Sequence, residues 1–192
     1  SPRSAWVPAS ATARNMAKRT HAALLRAPLE VSMRPASEDQ GEGLADAFAT
    51  ATGAGIGGYW IPVGASVPKE CWWYSTMPRW EDFPQQWEMS KDLQKSTGAI
   101  EALAQIALTL TFWLAPIYKV RNTTLRQASD NTSAEANLNK IFSTKYPAAY
   151  VVQLLAAWTT RLGINTRVVH VPGKEKSLAD GLSRGFDSTL EL

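Results

Sequence analysis

The sequence predicts an α/β domain on a five-stranded mixed sheet, with three antiparallel strands first, helices on both faces and an N-terminal helical arm. Three observations predict it. Short glycine- and aromatic-rich segments lie between residues 45 and 75, apolar residues recur at helical spacing from Ile100 to Leu114, and strand and helix signals alternate from Thr123 to Arg184. Strands that meander before the chain begins to alternate place the antiparallel part of the sheet first and the parallel part second.

The elements follow in order. Ser10 caps a helix from about Ala11 to Arg26, which Pro28 and Pro35 punctuate. The small, polar run from Pro35 to Gly43 has a linker composition, so residues 1–43 read as arm and linker. A short extended segment from Ala47 to Ala51 leads through Gly53-Ala-Gly-Ile-Gly-Gly58 into Tyr59-Trp60-Ile61, and Cys71-Trp-Trp-Tyr74 is the third strand. Residues 76–95 are irregular. Trp60, Trp72, Trp73, Trp80 and Trp87 fall between 60 and 87, chiefly as core and cover over the sheet. Ser96 or Thr97 caps a long helix on which Ile100, Leu103, Ala104, Ala107, Leu110 and Leu114 repeat. A strand from Thr123 to Ala128 ends at Ser129-Asp130-Asn131, and helices follow at about Thr132–Phe142 and Ala148–Leu162, the latter stopped by Gly163. Thr166 to Val171 is the last strand and Leu178 to Arg184 the last helix, leaving 187–192 as a tail.

Composition narrows the function classes. A single cysteine, Cys71, excludes an internal disulfide and a cysteine-rich zinc framework. The longest apolar stretch, Ala102 to Ile117, contains Gln105 and Pro116 and falls short of the ~20 residues of a bilayer span. An intracellular domain with no membrane partner is expected. The net charge of +3 divides along the chain as +5 over residues 1–36, −6 over 37–114 and +4 over 115–192, a pattern that suits a phosphate-binding face.

Carboxylates stand at the ends of elements. Glu101 lies one turn into the long helix amid Ile100, Ala102 and Leu103; Asp130 closes a strand; Asp180 interrupts the apolar run Leu178-Ala-Asp-Gly-Leu182. An acid in apolar surroundings must be paired, cap a helix or hold a cation, because desolvating it alone is costly. Three such acids on successive elements point to a hard, oxygen-rich cation site of the kind that holds Mg²⁺ or Mn²⁺ in phosphodiester cleavage.

The residues Ser129-Asp-Asn-Thr-Ser-Ala134, His170-Val-Pro-Gly173 and Leu178-Ala-Asp-Gly-Leu-Ser-Arg184 resemble the RNase H domain of retroelement reverse transcriptases, with the flavour of DIRS-like or gypsy-like elements. Ile100-Glu-Ala-Leu-Ala104 is similar to the helix that carries the family's glutamate, and Gly53 to Gly58 to the hairpin after its first strand. The likeness covers residues 44–186 and implies an RNase H-like fold, a two-ion Mg²⁺ or Mn²⁺ site and hydrolysis of RNA in RNA–DNA hybrids. It also implies a polymerase portion of the same polyprotein as partner; the start at Ser1-Pro2 without methionine is consistent with excision, with processing or with an imposed boundary. By the same resemblance Glu101, Asp130 and Asp180 are catalytic metal ligands, and Asn131, Thr132, Lys174, Lys176 and Arg184 are substrate contacts. His170 takes a structural role in the motif that positions the last loop.

Two departures stand out. The family's first acid belongs to an Asp-Ala-Ser-Gly pattern before the hairpin, and this chain reads Thr50-Ala-Thr-Gly53, which puts Thr50 where the aspartate is expected. Asp46 shares its strand parity but lies roughly 13 Å away along an extended strand, out of reach without a register change. Lys176 replaces an asparagine. The resulting expectation is a nuclease impaired by a missing acid, with the alternative of a catalytically silent module that binds nucleic acid or protein.

Overall fold

The structure, a computed structural model, describes residues 41–114, 123–172 and 177–185, the pair Ser37–Glu38, and two single helical residues, Lys18 and Ala22. The chain divides into two compact units, Ser1–Val31 and Ser32–Leu192. Of the first unit, Lys18 and Ala22 are helical and exposed; the rest of the expected helix Ala11–Arg26 lies outside the described residues.

The second unit is built on one mixed sheet. Its strands are β1 (Ser37–Glu38), β2 (Glu42–Ala49), β3 (Ala54–Ile61), β4 (Trp72–Thr76), β5 (Thr123–Ser129) and β6 (Ile164–His170). β2, β3 and β4 form an antiparallel meander, β2 pairs parallel to β5, and β5 pairs parallel to β6. The two-residue β1 pairs with the start of β5 on the edge that β2 uses further along, so six strands fill five positions. The expected sheet is present, with β1 drawn from the stretch read as linker.

The helices are α1 (Thr97–Leu114), α2 (Thr132–Lys140), α3 (Ala148–Leu162) and α4 (Ser177–Ser183). α1 is apolar nearly all round because it is sandwiched. One side, with Ile100, Ala104, Leu108 and Phe112, packs on Ala45, Ala47, Ile56 and Trp60 of the sheet; the other, with Ala99, Ala102 and Ile106, meets α2 and α3 through Ala134, Leu138, Val151, Val152 and Leu155. Trp60 is fully buried and meets Phe112 edge-on, with ring centroids 5.0 Å apart. The irregular stretch between β4 and α1 resolves into short 3₁₀ turns that lay Trp80 and Trp87 against this core, while Trp73 on the edge strand is exposed.

The stop expected at Gly163 is present, and α2 is opened by a cap at Asn131. Asn131 Oδ1 accepts from Ala134 N at 2.9 Å to open α2, and Gly163 closes α3 in the left-handed region at φ 65°. The outer edge of β6 is capped by a side chain. Asn139 Nδ2 donates to Val168 O at 2.7 Å and its Oδ1 accepts from Val168 N at 2.9 Å, so an amide imitates one residue of a further strand.

Tyr74 ties the meander to α1. Its ring crosses Gly58, where a Cβ would stand 2.8 Å from Tyr74 Cε1, and its hydroxyl donates to Ala104 O. Burial pushes the phenol well above its usual value, and the negative charges of Asp46 and Glu101 add to the rise. The folded value therefore exceeds the unfolded one of about 10, so this contribution to stability is complete below about pH 10 and is lost as pH rises toward the folded value. Tyr74→Phe is expected to lower stability by about 1 kcal/mol at neutral pH through loss of the hydrogen bond. It should also flatten the alkaline decline. Urea unfolding midpoints between pH 8 and 11 measure both, and an unchanged alkaline slope would refute this account of Tyr74.

Candidate metal centre

The site forms where two parallel strands part. β2 and β5 pair at Gly43–Gln127 and Leu44–Ala128. Continuing that register by two residues sets Asp46 beside Asp130, at the carboxyl end of the parallel pair, where open α/β sheets place their ligands. Beyond Leu44, β2 leaves β5 and continues as a hairpin arm with β3 to Ala49. The carbonyls released at the parting are both satisfied from above. Gln105 Nε2 donates to Ala45 O at 3.2 Å and to Ala128 O at 3.0 Å.

Gln105 belongs to a buried polar stripe on α1. Glu101, Gln105 and Thr109 recur every four residues and follow the β2–β5 seam, and Thr109 Oγ1 accepts from Gln127 Nε2 at 2.8 Å. Glu101 is the end of that stripe nearest the carboxyl ends of the strands. Asp46, Glu101 and Asp130 consequently converge, each offering a carboxylate oxygen within 4.8 Å of the other two. Asp46 and Glu101 are buried, whereas Asp130 is exposed at the rim. Solvent thus reaches the group from the Asp130 side.

The residue that β2 brings to Glu101 and Asp130 is Asp46, and Thr50, expected at the place of the first acid, is not in this group. Thr50 sits at the hairpin turn, exposed, where its amide donates to Gly53 O at 2.8 Å and its Oγ1 accepts from Gly53 N at 3.1 Å. It caps the turn. The expectation that Asp46 lies out of reach assumed that the first strand reaches its functional end beside the glycines; instead the hairpin overhangs the parallel part of the sheet. The same four residues, roughly 13 Å of strand, separate Thr50 from the acids rather than Asp46.

Glu101 and Asp130 are brought together as the sequence suggested. Asp180 is not part of the group of three. On α4 its Oδ1 accepts from Arg184 Nε at 2.9 Å, and the Arg184 guanidinium lies over the Phe48 ring at 5.3 Å. α4 nevertheless touches the centre through Ser183, whose Oγ lies 3.3 Å from Asp46 Oδ2. Of the expected substrate contacts, Asn131 is engaged as the cap of α2, Thr132 is exposed in its first turn, and Arg184 holds Asp180. Lys174 and Lys176 lie outside the described residues. His170 is exposed at the end of β6, opposite Ser129 in the parallel register. Sequence reasoning set Asp46 aside as out of reach and missed Gln105. The signal for both was a polar side chain placed within a run of small or apolar residues, the criterion that picked out Glu101.

The donors are all carboxylate oxygens, without histidine or cysteine, which suits a hard cation such as Mg²⁺ or Mn²⁺. Three carboxylate oxygens within 4.8 Å of one another are near enough to be drawn onto a shared ion. The three residues fit such an ion.

No protein-family model and no curated protein matches the chain. Solved structures do. An RNase H1 isolated from compost by a metagenomic approach, LC11-RNase H1, aligns with TM-score 0.51 at 15% identity, over 80% of this chain and 99% of its own. The same enzyme in complex with an RNA/DNA hybrid aligns at 0.49 and 15% identity, over 79% and 100% of the two chains. RNase H1 from the halophilic archaeon Halobacterium salinarum NRC-1 aligns at 0.49 and 13%, over 78% and 98%. Strand order, the position of the acids at the parting of the parallel pair and the first of these alignments agree that the domain has the RNase H-like fold.

Proposed function

We propose that this domain is a metal-dependent nuclease that cleaves the RNA strand of RNA–DNA hybrids. One observation carries the reading: in an RNase H-like fold, Asp46, Glu101 and Asp130 present carboxylate oxygens within 4.8 Å of one another. Mg²⁺ or Mn²⁺ held there supplies activation of a water and stabilisation of charge on the scissile phosphate. Asp46 contributes a rigid ligand from mid-strand, Glu101 one from a helix fixed on both sides, and Asp130 one at the exposed rim where the substrate arrives. Since Asp46 supplies the strand acid, the loss of activity expected from Thr50 has no structural ground, and the domain reads as competent rather than impaired. Asp180 is the fourth acid of this proposal, acting from α4 once its pairing with Arg184 is exchanged.

A candidate substrate surface shares α1 and α2 with the approach to the acids. A cavity of about 460 Å³ is lined by Lys95, Ser96 and Gly98 at the start of α1, Ser133 and Lys140 of α2, and Lys145 beyond it. Ser133 is three residues past Asp130 and Ala99, also in the lining, two before Glu101, so the cavity and the metal centre draw on the same stretches of chain. Three ammonium groups and several hydroxyls suit a phosphate backbone, and exposed Phe142 and Tyr146 on the same rim suit sugar or base contact. The motifs ending at Arg184 further support placing the domain as the RNase H portion of a retroelement reverse transcriptase, with its polymerase as partner.

The test is cleavage of a labelled hybrid with Mg²⁺ or Mn²⁺. Wild type should cleave, and Asp46→Asn, Glu101→Gln and Asp130→Asn should each lower kcat by about a hundredfold or more. Thr50→Ala should stay near wild type. Hybrid binding by wild type without cleavage would instead favour the silent module, and loss of activity in Thr50→Ala would restore that residue to the site. A second measurement addresses the cavity. Lys140→Ala with Lys145→Ala should raise KM with little change in kcat and make binding less dependent on salt. The slope of log affinity against log salt should shrink by about 0.9 for each phosphate that a removed lysine had neutralised. Unchanged KM and salt slope would remove the cavity from the substrate path.

A further inference from the structure

We propose that Ser183 is a positioning residue, whose hydroxyl holds the Asp46 carboxylate in the orientation that meets Glu101 and Asp130. The inference rests on the metal-centre reading above and adds a residue to it.

The physical case begins with two glycines. α4 lies on the face of the hairpin opposite α1, and its backbone touches the strand. A Cβ at Gly57 would stand 2.3 Å from Ser183 N and 2.4 Å from Leu182 C, and one at Gly55 would stand 1.9 Å from Ser183 O. Gly57 is the register partner of Asp46 on β3. Absence of a side chain there lets the helix backbone descend to the level at which a side chain as short as serine reaches the neighbouring strand's carboxylate. Ser183 is fully buried, so water does not compete for its hydroxyl. A second bond fixes the same turn, since Ser75 Oγ donates to Leu182 O at 2.6 Å.

Ser183 Oγ lies 2.9 Å from Asp180 O and 3.3 Å from Asp46 Oδ2. Its one proton has two acceptors, and the ionised carboxylate is the stronger of them. The terminal torsion of an aspartate is broad, with no staggered well to hold it. A fixed donor at one oxygen narrows that rotation, and partners of this kind around metal-ligating carboxylates set both orientation and affinity. Through Ser183 the last helix, which also carries Asp180 and is closed by Arg184, is coupled to the acid most deeply set in the sheet.

The experiment measures Mn²⁺ binding to the full chain by calorimetry, together with thermal unfolding without metal. Ser183→Ala should weaken Mn²⁺ binding about tenfold. Ser75→Ala removes the other hydrogen bond that holds this turn, without touching Asp46. It should lower metal-free stability comparably and leave Mn²⁺ affinity within about twofold of wild type. Ser183→Cys, of similar shape with a weaker donor, should fall between wild type and Ser183→Ala, and serves if the alanine variant folds poorly. Equal weakening in Ser183→Ala and Ser75→Ala would reduce Ser183 to a packing role, and wild-type affinity in both Ser183 variants would overturn the proposal while leaving the metal centre standing. Should wild type and Asp46→Asn bind Mn²⁺ equally poorly, the metal-centre reading itself fails and this inference with it.

Discussion

The parting of β2 from β5 is the constraint on which the rest of this molecule depends. Two parallel strands that separate inside a protein leave backbone carbonyls with no ladder partner, and buried groups of that kind are costly to strand. Gln105 meets the demand at Ala45 O and Ala128 O with a single side-chain amide. That fixes the rotation and depth of α1 over the seam. With α1 so placed, the residue one turn earlier on the same stripe is Glu101, and it points at the end of the seam where Asp46 and Asp130 lie side by side. A backbone hydrogen-bond requirement thus orients the acid helix.

The opposite face is organised by close approach. Where α1 packs through large side chains such as Ile100, Leu108 and Phe112, α4 packs through its backbone onto Gly55 and Gly57. The two modes suit different tasks. Side-chain packing secures the apolar core that makes the sheet stable, and backbone packing brings a short helix near enough to a strand carboxylate to touch it. Asp46 therefore sits between a helix that carries a second acid and a helix that carries a hydroxyl.

Much of this was legible in order along the chain. The periodicity from Ile100 to Leu114, the stop at Gly163 and the alternation after Thr123 act through local backbone chemistry, and local chemistry is written in neighbouring residues. Glu101 and Asp130 were legible for a related reason, as each is an acid at an element boundary where an unpaired charge would be costly. Asp46 was not legible as a site residue, because its place depends on how far the β2–β3 hairpin extends past the parallel pair. Thr50 drew attention as the residue closest to the glycines; the glycines serve the close approach of α4 rather than marking the end of the functional strand. Gln105 passed as an interruption in an apolar run, since nothing near it in sequence reveals that two distant strands part beneath it.

By itself the sequence determined the order of the longer strands and of the helices from Thr97 onward, the mixed α/β class and two of the three converging acids, because helix periodicity, strand alternation and the cost of a buried charge all operate within a few residues. Only the tertiary structure decided which aspartate completes the centre and that Asp180 is held by Arg184 outside it. Those outcomes follow from the register between β2 and β5, whose segments are about eighty residues apart, and from the depth to which glycine lets α4 settle. Register and depth are relations between distant segments, set by which backbone groups find partners and how closely surfaces approach.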